Sequence, residues 1–179
     1  LWGSFEALGE ARARRAPLAL DLPEKRVEIS EDGKVTGIVE KERFDAHKLI
    51  EEFMIQANVA AAETLEKLGS PLLYRVHDQP SDAKLAALAD FLQTMDIKWA
   101  LGERPQTHRF NRLLSDHADT EHAGTISEIV LRSQAQAIYA PENAGHFGLN
   151  LSKYAHFTSP IRRYSDLIVH RALISALGL

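Results

Sequence analysis

The sequence predicts an α+β fold that is rich in helix. Apolar residues recur at helical spacing in several separate stretches, and short alternating runs flank an Asp-Gly turn near the N-terminus. Glycine, proline and serine punctuate the chain between them. In order, residues 4–15 place Phe5, Leu8 and Ala11 on one side of a helix that Pro17 ends. Alternating runs at 18–29 and 35–39, separated by Glu31-Asp32-Gly33, predict a β-hairpin. A long helix is predicted over 46–68, with Asp45 as N-cap and Gly69 as its stop; Ala57, Ala60, Ala61 and Ala62 permit close packing on several sides. Residues 71–76 read as a short strand or extended link. Ser81 caps a helix reaching residue 95, with Leu85, Leu88, Ala89 and Leu92 at core spacing. After an irregular stretch at 97–105, helices are predicted over 107–117 and 121–137, the second broken by Tyr139-Ala140-Pro141. Residues 145–154 read as short strands and turns, and a last helix spans 160–177. With no internal repeat, low-complexity linker or second domain visible, the 179 residues read as one domain or a large piece of one.

Composition excludes several classes. No apolar run approaches the roughly 18 residues of a membrane span, and no signal-peptide pattern opens the chain. The chain has no cysteine, so disulfides and thiolate metal sites are out; this fits a reducing, cytoplasmic setting. The net charge of −4 means that any polyanion site must be local. Arg162, Arg163 and Arg171, set against Asp166, supply one candidate.

That candidate lies in HFTSPIRRYSDLIVHR, residues 156–171. Ser159 suits an N-cap and Pro160 the first helical position, which puts Arg162 and Arg163 in the first turn beside the positive end of the dipole. Such a placement costs about 0.3–1 kcal/mol per charge unless an anion is there. A phosphate would reverse the sign by taking Arg162 bidentately. Equally, Arg163 can pair with an acid elsewhere and Arg162 with Asp166, and the residues alone leave both readings open.

Glu51 and Glu52 are adjacent inside the long helix and point about 100° apart. If that helix is largely buried, one of them faces protein or a cleft and requires a charged or hydroxyl partner. The alternative is a solvated stripe shared with Lys48 and Gln56. Asn58 is a hydrogen-bonding companion on the same helix. The eight histidines show no zinc spacing; His117 and His122 lie near Asp116, Asp119 and Glu121 in a polar loop. Ser165, Asp166 and His170 share the letters of a hydrolytic triad, but one helix cannot give them triad geometry. Gly145 and Gly148 suit tight turns or close backbone approach better than a phosphate loop. Tyr139, Phe147, Tyr154, Phe157 and Tyr164 suit either base stacking or core packing.

Two separated stretches, AHKLIEEFMIQANVAAAE at 46–63 and AIYAPENAGHFGLNLSKYAHFTSPIRRYSDLIVHRAL at 137–173, resemble the RNB catalytic domain of the ribonuclease II/ribonuclease R family, on its bacterial ribonuclease R side. LYRVHDQPS at 73–81 extends the resemblance, which covers nearly the whole chain. It implies a parent protein that is a processive 3′-to-5′ exoribonuclease, threading single-stranded RNA and releasing nucleoside 5′-monophosphates with Mg²⁺. It matches Arg162 to the family arginine that grips the scissile phosphate, and Glu51, with Glu52 as fallback, to a glutamate that senses the terminal ribose. Arg163, Tyr164, His170 and Arg171 belong to the same signature as RNA-facing residues, with Asp166 supporting Arg162. The family's metal site is a close cluster of aspartates upstream of this region. Here Asp21, Asp32 and Asp45 are scattered, and Asp116 with Asp119 lies in the wrong part of the match. The expectation is therefore a partial catalytic domain, inactive alone, that holds no metal and has no obligate protein partner or membrane contact. Where relatives carry a base-clamping aromatic, this chain has Leu20. The competing readings are a non-catalytic RNA-binding relative and a helical interaction module whose arginines dock a partner's acid.

Overall fold

The apolar stripes are buried by packing helices on one another. The computed structural model describes residues 1–20, 22 and 24–179, and among these it has six helices and two small antiparallel sheets. The first helix, α1 (Trp2–Arg15), carries Arg12, Arg14 and Arg15 in its last turn, where the dipole favours cations. Ala16 ends it in the left-handed region, its N–H bonded to Arg12 and Ala13 carbonyls, and Pro17 follows.

The alternating run after Pro17 becomes a strand later than expected. Leu18 donates its N–H to Gly148 O (2.8 Å) and Ala19 donates to Asn111 Oδ1 (2.7 Å), so these residues are tied to other elements. Asp21 and Pro23 lie outside the described residues. The hairpin itself is β1 (Lys25–Ile29) and β2 (Val35–Glu40), turning through Gly33 at φ 76°. Its register pairs Val27 with Ile38 and Ile29 with Val35, so these four aliphatic side chains share one face. All four are at least 49% exposed.

Helix α2 (Asp45–Lys67) is the scaffold, packing on α1 and on the last helix. Phe44, not Asp45, is its N-cap. The backbone N–H of Phe44 is taken by His47 Nδ1 (3.1 Å), and the Asp45 carboxylate takes Lys48 instead (3.0 Å). Asp45 therefore sits in the first turn, where its charge suits the dipole. Gly69, at φ 64°, closes the other end, with Ser70 N–H on Leu65 O (3.0 Å). Of the alanines, Ala61 and Ala62 are buried, whereas Ala60 is exposed.

Next come β3 (Tyr74–Val76), α3 (Asp82–Gln93, capped by Ser81), α4 (Thr107–Asp116) and α5 (Ala123–Ser133). The helix expected to reach residue 137 stops at Ser133. Beyond it the backbone is captured in extended form, Gln134 O by Lys84 Nζ and Ala135 O by His77 Nε2 (2.9 Å). Residues expected only to break the helix form β4 (Ile138–Ala140), antiparallel to β3, with Arg75 opposite Tyr139. Helix α6 (Tyr164–Leu177) ends the chain and starts four residues later than expected.

Two clusters form the core. One joins Ala61, Ala62 and Leu65 of α2 to Tyr74, Val76, Ala155 and Val169 of α6. The other joins Leu85, Leu88 and Leu92 of α3 to Phe110 and Leu113 of α4 and Ile126 and Val130 of α5, with Leu20 packed against it. Segment 145–151 bridges them. The Phe147 ring meets Phe110 (6.1 Å) and His77 (6.2 Å) edge-on, and Phe147 N–H donates to His77 O (2.7 Å). His77 Nδ1 accepts from Gly148 N–H (2.9 Å), so its Nε2–H is the donor to Ala135 O. A Cβ on Gly148 would lie 2.9 Å from His77 Nδ1, which is why glycine is needed there.

His146 Nδ1 accepts from Leu149 N–H (3.1 Å), so this ring is also held neutral. Burial, then the adjacent His77, pushes its pKa down to about 4, and burial lowers His77 as well. The unfolded chain takes up these protons at about pH 6.5 and the folded chain only at lower pH. Stability is therefore complete above about pH 6.5 and declines as pH falls toward 4. Urea midpoints measured across that window should fall steadily for the unsubstituted chain and more shallowly for His146→Gln. Identical slopes would show that this ring is not the source.

Candidate functional site: a turn that presents Arg162

The segment before α6 is fixed from two sides. Asn58, buried on α2, accepts N–H bonds from Phe157 (2.8 Å) and Thr158 (3.3 Å) and donates to Tyr154 Oη (2.9 Å). From α6, His170 contacts Phe157 O through Nε2 (2.8 Å) and stacks on the Phe157 ring at 4.2 Å. The chain then turns tightly: Ser159 O accepts N–H bonds from Arg162 (3.3 Å) and Arg163 (3.1 Å). Arg163 is extended (φ −126°, ψ 118°) and is the N-cap of α6. Ser159 and Pro160 therefore belong to the turn and do not cap or open the helix.

Asp166, in the first turn of α6, is fully buried. Its Oδ2 accepts from Ser159 N–H (2.8 Å) and Arg163 Nη2 (2.8 Å), and its Oδ1 from Ser165 Oγ (3.2 Å). Burial pulls its pKa upward, but the Ser159 N–H and Arg163 outweigh that and hold it below the ordinary value. This corrects one expectation. Asp166 supports Arg163, not Arg162, because the turn brings Ser159 N–H and the Arg163 guanidinium to the same carboxylate oxygen. Ser165 points at Asp166 while His170 is turned to Phe157 O, so no triad forms.

The Arg162 side chain is left exposed, its one hydrogen bond among the described residues a long one to Ser159 Oγ (3.5 Å). Ile161 (98% exposed) and Tyr164 (71%) flank it. Arg171 is exposed on the same helix. Of the five aromatics noted in the sequence, Tyr154, Phe147 and Phe157 pack inward, and Tyr139 and Tyr164 remain open.

Glu51 and Glu52 lie apart from this turn, on the α2 face that meets α1. Glu52 is buried, with Oε1 2.5 Å from Arg12 Nη1 and Oε2 without a hydrogen-bond partner. Glu51 is half-exposed, reached by Arg12 (3.5 Å) and by Arg43, and it lines a cavity of about 650 Å³ between α2 and the hairpin. A charged or hydroxyl partner is implied for whichever of the two is buried, and for Glu52 that partner is Arg12. The signal for it was the basic end of α1. Among the described residues, no group of three or more His, Asp or Glu is arranged to hold a metal ion, and these residues do not fit one.

Residues 5–178 match the RNB domain. The chain belongs to the RNB domain family. This RNB chain is 41% identical over 169 residues to ribonuclease R of Escherichia coli, covering 94% of the chain and 21% of that relative. It thus spans about a fifth of the relative's length. It also superposes on Mycoplasma genitalium RNase R, solved in complex with ribose-methylated single-stranded RNA, with a TM-score of 0.85 and 28% identity, over 95% of this chain and 27% of that one. Yeast Ssd1, a pseudonuclease, is more distant, with a TM-score of 0.63 and 27% identity over 76% of this chain and 17% of that one.

If Asp166 is what fixes the RNB turn, its loss is severe. Asp166→Ala strands the Ser159 N–H and a largely buried guanidinium, and should cost about 3–5 kcal/mol of folding stability. Denaturant titration at unchanged m-value reads this directly. A loss near zero would mean that the turn is held by something else.

Proposed function

We propose that this chain is part of the catalytic domain of a processive 3′-to-5′ exoribonuclease that hydrolyses single-stranded RNA to nucleoside 5′-monophosphates. The observation that carries the reading is Arg162, a guanidinium with no carboxylate partner among the described residues, on a turn that Asp166 and Asn58 hold rigid. In that position Arg162 takes two non-bridging oxygens of the scissile phosphate. Negative charge grows on those oxygens as hydroxide adds to phosphorus, and a preorganised donor stabilises it more in the transition state than in the ground state. The bond from phosphorus to the 3′-oxygen breaks, leaving a 3′-hydroxyl on the shortened strand and a 5′-phosphate on the released nucleotide.

Glu51, open to its cavity, accepts the ribose 2′-hydroxyl, which DNA lacks, and Glu52 with Arg12 holds it in place. Tyr164 offers a face to a base and Arg171 a charge to the backbone. Arg163 and His170 serve the turn, through Asp166 and Phe157 O, in place of direct RNA contact. The metal ions of the complete enzyme, Mg²⁺ on this reading, take their ligands from elsewhere in a longer protein. No helix among the described residues is long and apolar enough to cross a membrane, and the reading places the enzyme in the cytoplasm. The nuclease reading is favoured over a non-catalytic one because ribonuclease R is the nearer likeness by both TM-score and coverage.

In the full-length protein, Arg162→Ala should lower kcat by about 10²–10³-fold, with RNA affinity reduced far less. Isolated residues 1–179 with Mg²⁺ and a single-stranded oligonucleotide should release no mononucleotide. Single-turnover assays of both settle the matter, and full turnover by the alanine variant would refute the role of Arg162.

A further inference from the structure

Arg75 and Tyr139 face each other across the β3–β4 pair, and the Arg75 guanidinium lies 4.7 Å above the Tyr139 ring. Arg75 makes no ion pair or side-chain hydrogen bond among the described residues. A planar guanidinium stacked in this way keeps its N–H edges free to donate. Tyr139 Oη lies 2.7 Å from His156 Nδ1. His156 is half-buried, edge-on to the Tyr154 and Tyr139 rings. Burial, then Arg163, Arg75 and Arg162, pushes its pKa down to about 4, with Asp166 opposing them. With Nδ1 paired to the Tyr139 hydroxyl, Nε2 is the ring nitrogen left without a partner among the described residues, and it donates in the tautomer in which Tyr139 O–H donates to Nδ1.

His156 thus feels the charges of three guanidiniums and one carboxylate, in a chain whose net charge is −4. The Asp166 charge is already committed to Arg163 and Ser159. Arg75 and Arg162 are left without a carboxylate partner among the described residues, Arg75 stacked on the half-exposed Tyr139 and Arg162 six residues beyond His156 on the same segment. A structural role for Arg75 would need only the ring beneath it. It would explain neither the absent acid nor the alignment of Tyr139 with His156.

We propose that Arg75, Tyr139 and His156 form a second anion subsite, which takes the phosphodiester next to the one held by Arg162. Arg75 supplies charge and two N–H donors, the His156 Nε2–H supplies a third, and the tyrosine hydroxyl fixes the imidazole tautomer. The inference rests on the nuclease reading. It adds that the strand is gripped at two consecutive linkages, so that Arg75 governs binding while Arg162 governs the chemical step.

The test uses the full-length protein and single-stranded oligonucleotides, one natural and one with a neutral methylphosphonate at the neighbouring linkage. Arg75→Gln should raise KM about tenfold for the natural strand, the size of one charge-assisted contact, with a smaller change in kcat. The salt dependence of binding should become shallower by about 0.7 in log–log slope, one phosphate's worth for a single strand. The unsubstituted protein should lose the same factor on the methylphosphonate strand, and Arg75→Gln should treat the two strands alike. The neutral linkage reads the contact without any substitution, so a misfolded variant cannot mimic the result. Equal binding of both strands by the unsubstituted protein, or an unchanged salt slope in Arg75→Gln, overturns the subsite. Arg162→Ala in the same series separates the failures: if it loses turnover while Arg75→Gln behaves as the unsubstituted protein, only the subsite is wrong; if it keeps full turnover, the role of Arg162 is wrong; and if the unsubstituted protein releases no nucleotide from either strand, the nuclease reading falls and the subsite with it.

Discussion

Asp166 is fully buried yet ionised, and its three hydrogen bonds offset the cost of taking that charge out of water. Desolvating a carboxylate costs several kcal/mol, while hydrogen bonds to a charged group contribute about 1.5–3 kcal/mol each. The balance closes only with all three in place. That requirement fixes the backbone of Ser159, the side chain of Arg163 and the first turn of α6 relative to one another. Arg162 is the residue between them, left without a carboxylate partner among the described residues. Its freedom is a product of its neighbour's confinement.

The same logic runs through the polar interior. Asn58 uses both ends of its amide, accepting two N–H groups from the segment that leads to the turn and donating to Tyr154. A row of rings, from Phe110 through Phe147, His77, His146, Tyr154 and His156 to Tyr139, crosses from one apolar cluster to the other. The imidazoles in it are neutral because they are buried and have cations or each other for company. The polar atoms of Asn58 and Asp166 thus have assigned partners, whereas Arg15 Nη2, Glu52 Oε2, Gln134 Oε1, Thr158 Oγ1 and Arg163 Nε are buried without one among the described residues.

Much of this was legible in the residues. Periodicity located all six helices, and Asp-Gly located the hairpin. The adjacent arginines marked the turn before α6, where one of them pairs with Asp166, and the adjacent glutamates signalled a buried charge. What stayed hidden had a common cause: it depended on partners distant in sequence. Leu18 and Ala19 alternate like a strand, but their N–H groups go to Gly148 and Asn111. β4 is three residues long and exists through β3, too short for any pattern to announce it. Arg12 meets Glu52 across 40 positions, and no local rule pairs them. The start of α6 was misplaced because Ser159-Pro160 is a sound helix opening locally, and only Asp166 folding back makes it a turn.

The hairpin has a consequence for how the chain behaves in bulk. Its two strands form a sheet with both edges open, and Val27, Ile29, Val35 and Ile38 lie uncovered on one flank. Such a ribbon is a template for pairing with its own kind. Lys25, Arg26 and Glu28 along β1, with Lys34 in the turn, are what oppose that, because a paired edge would take these charged side chains out of water. Keeping such ribbons apart is therefore left to the hydration of a handful of charged side chains, and replacing them with apolar ones would turn the hairpin into a seed for self-association.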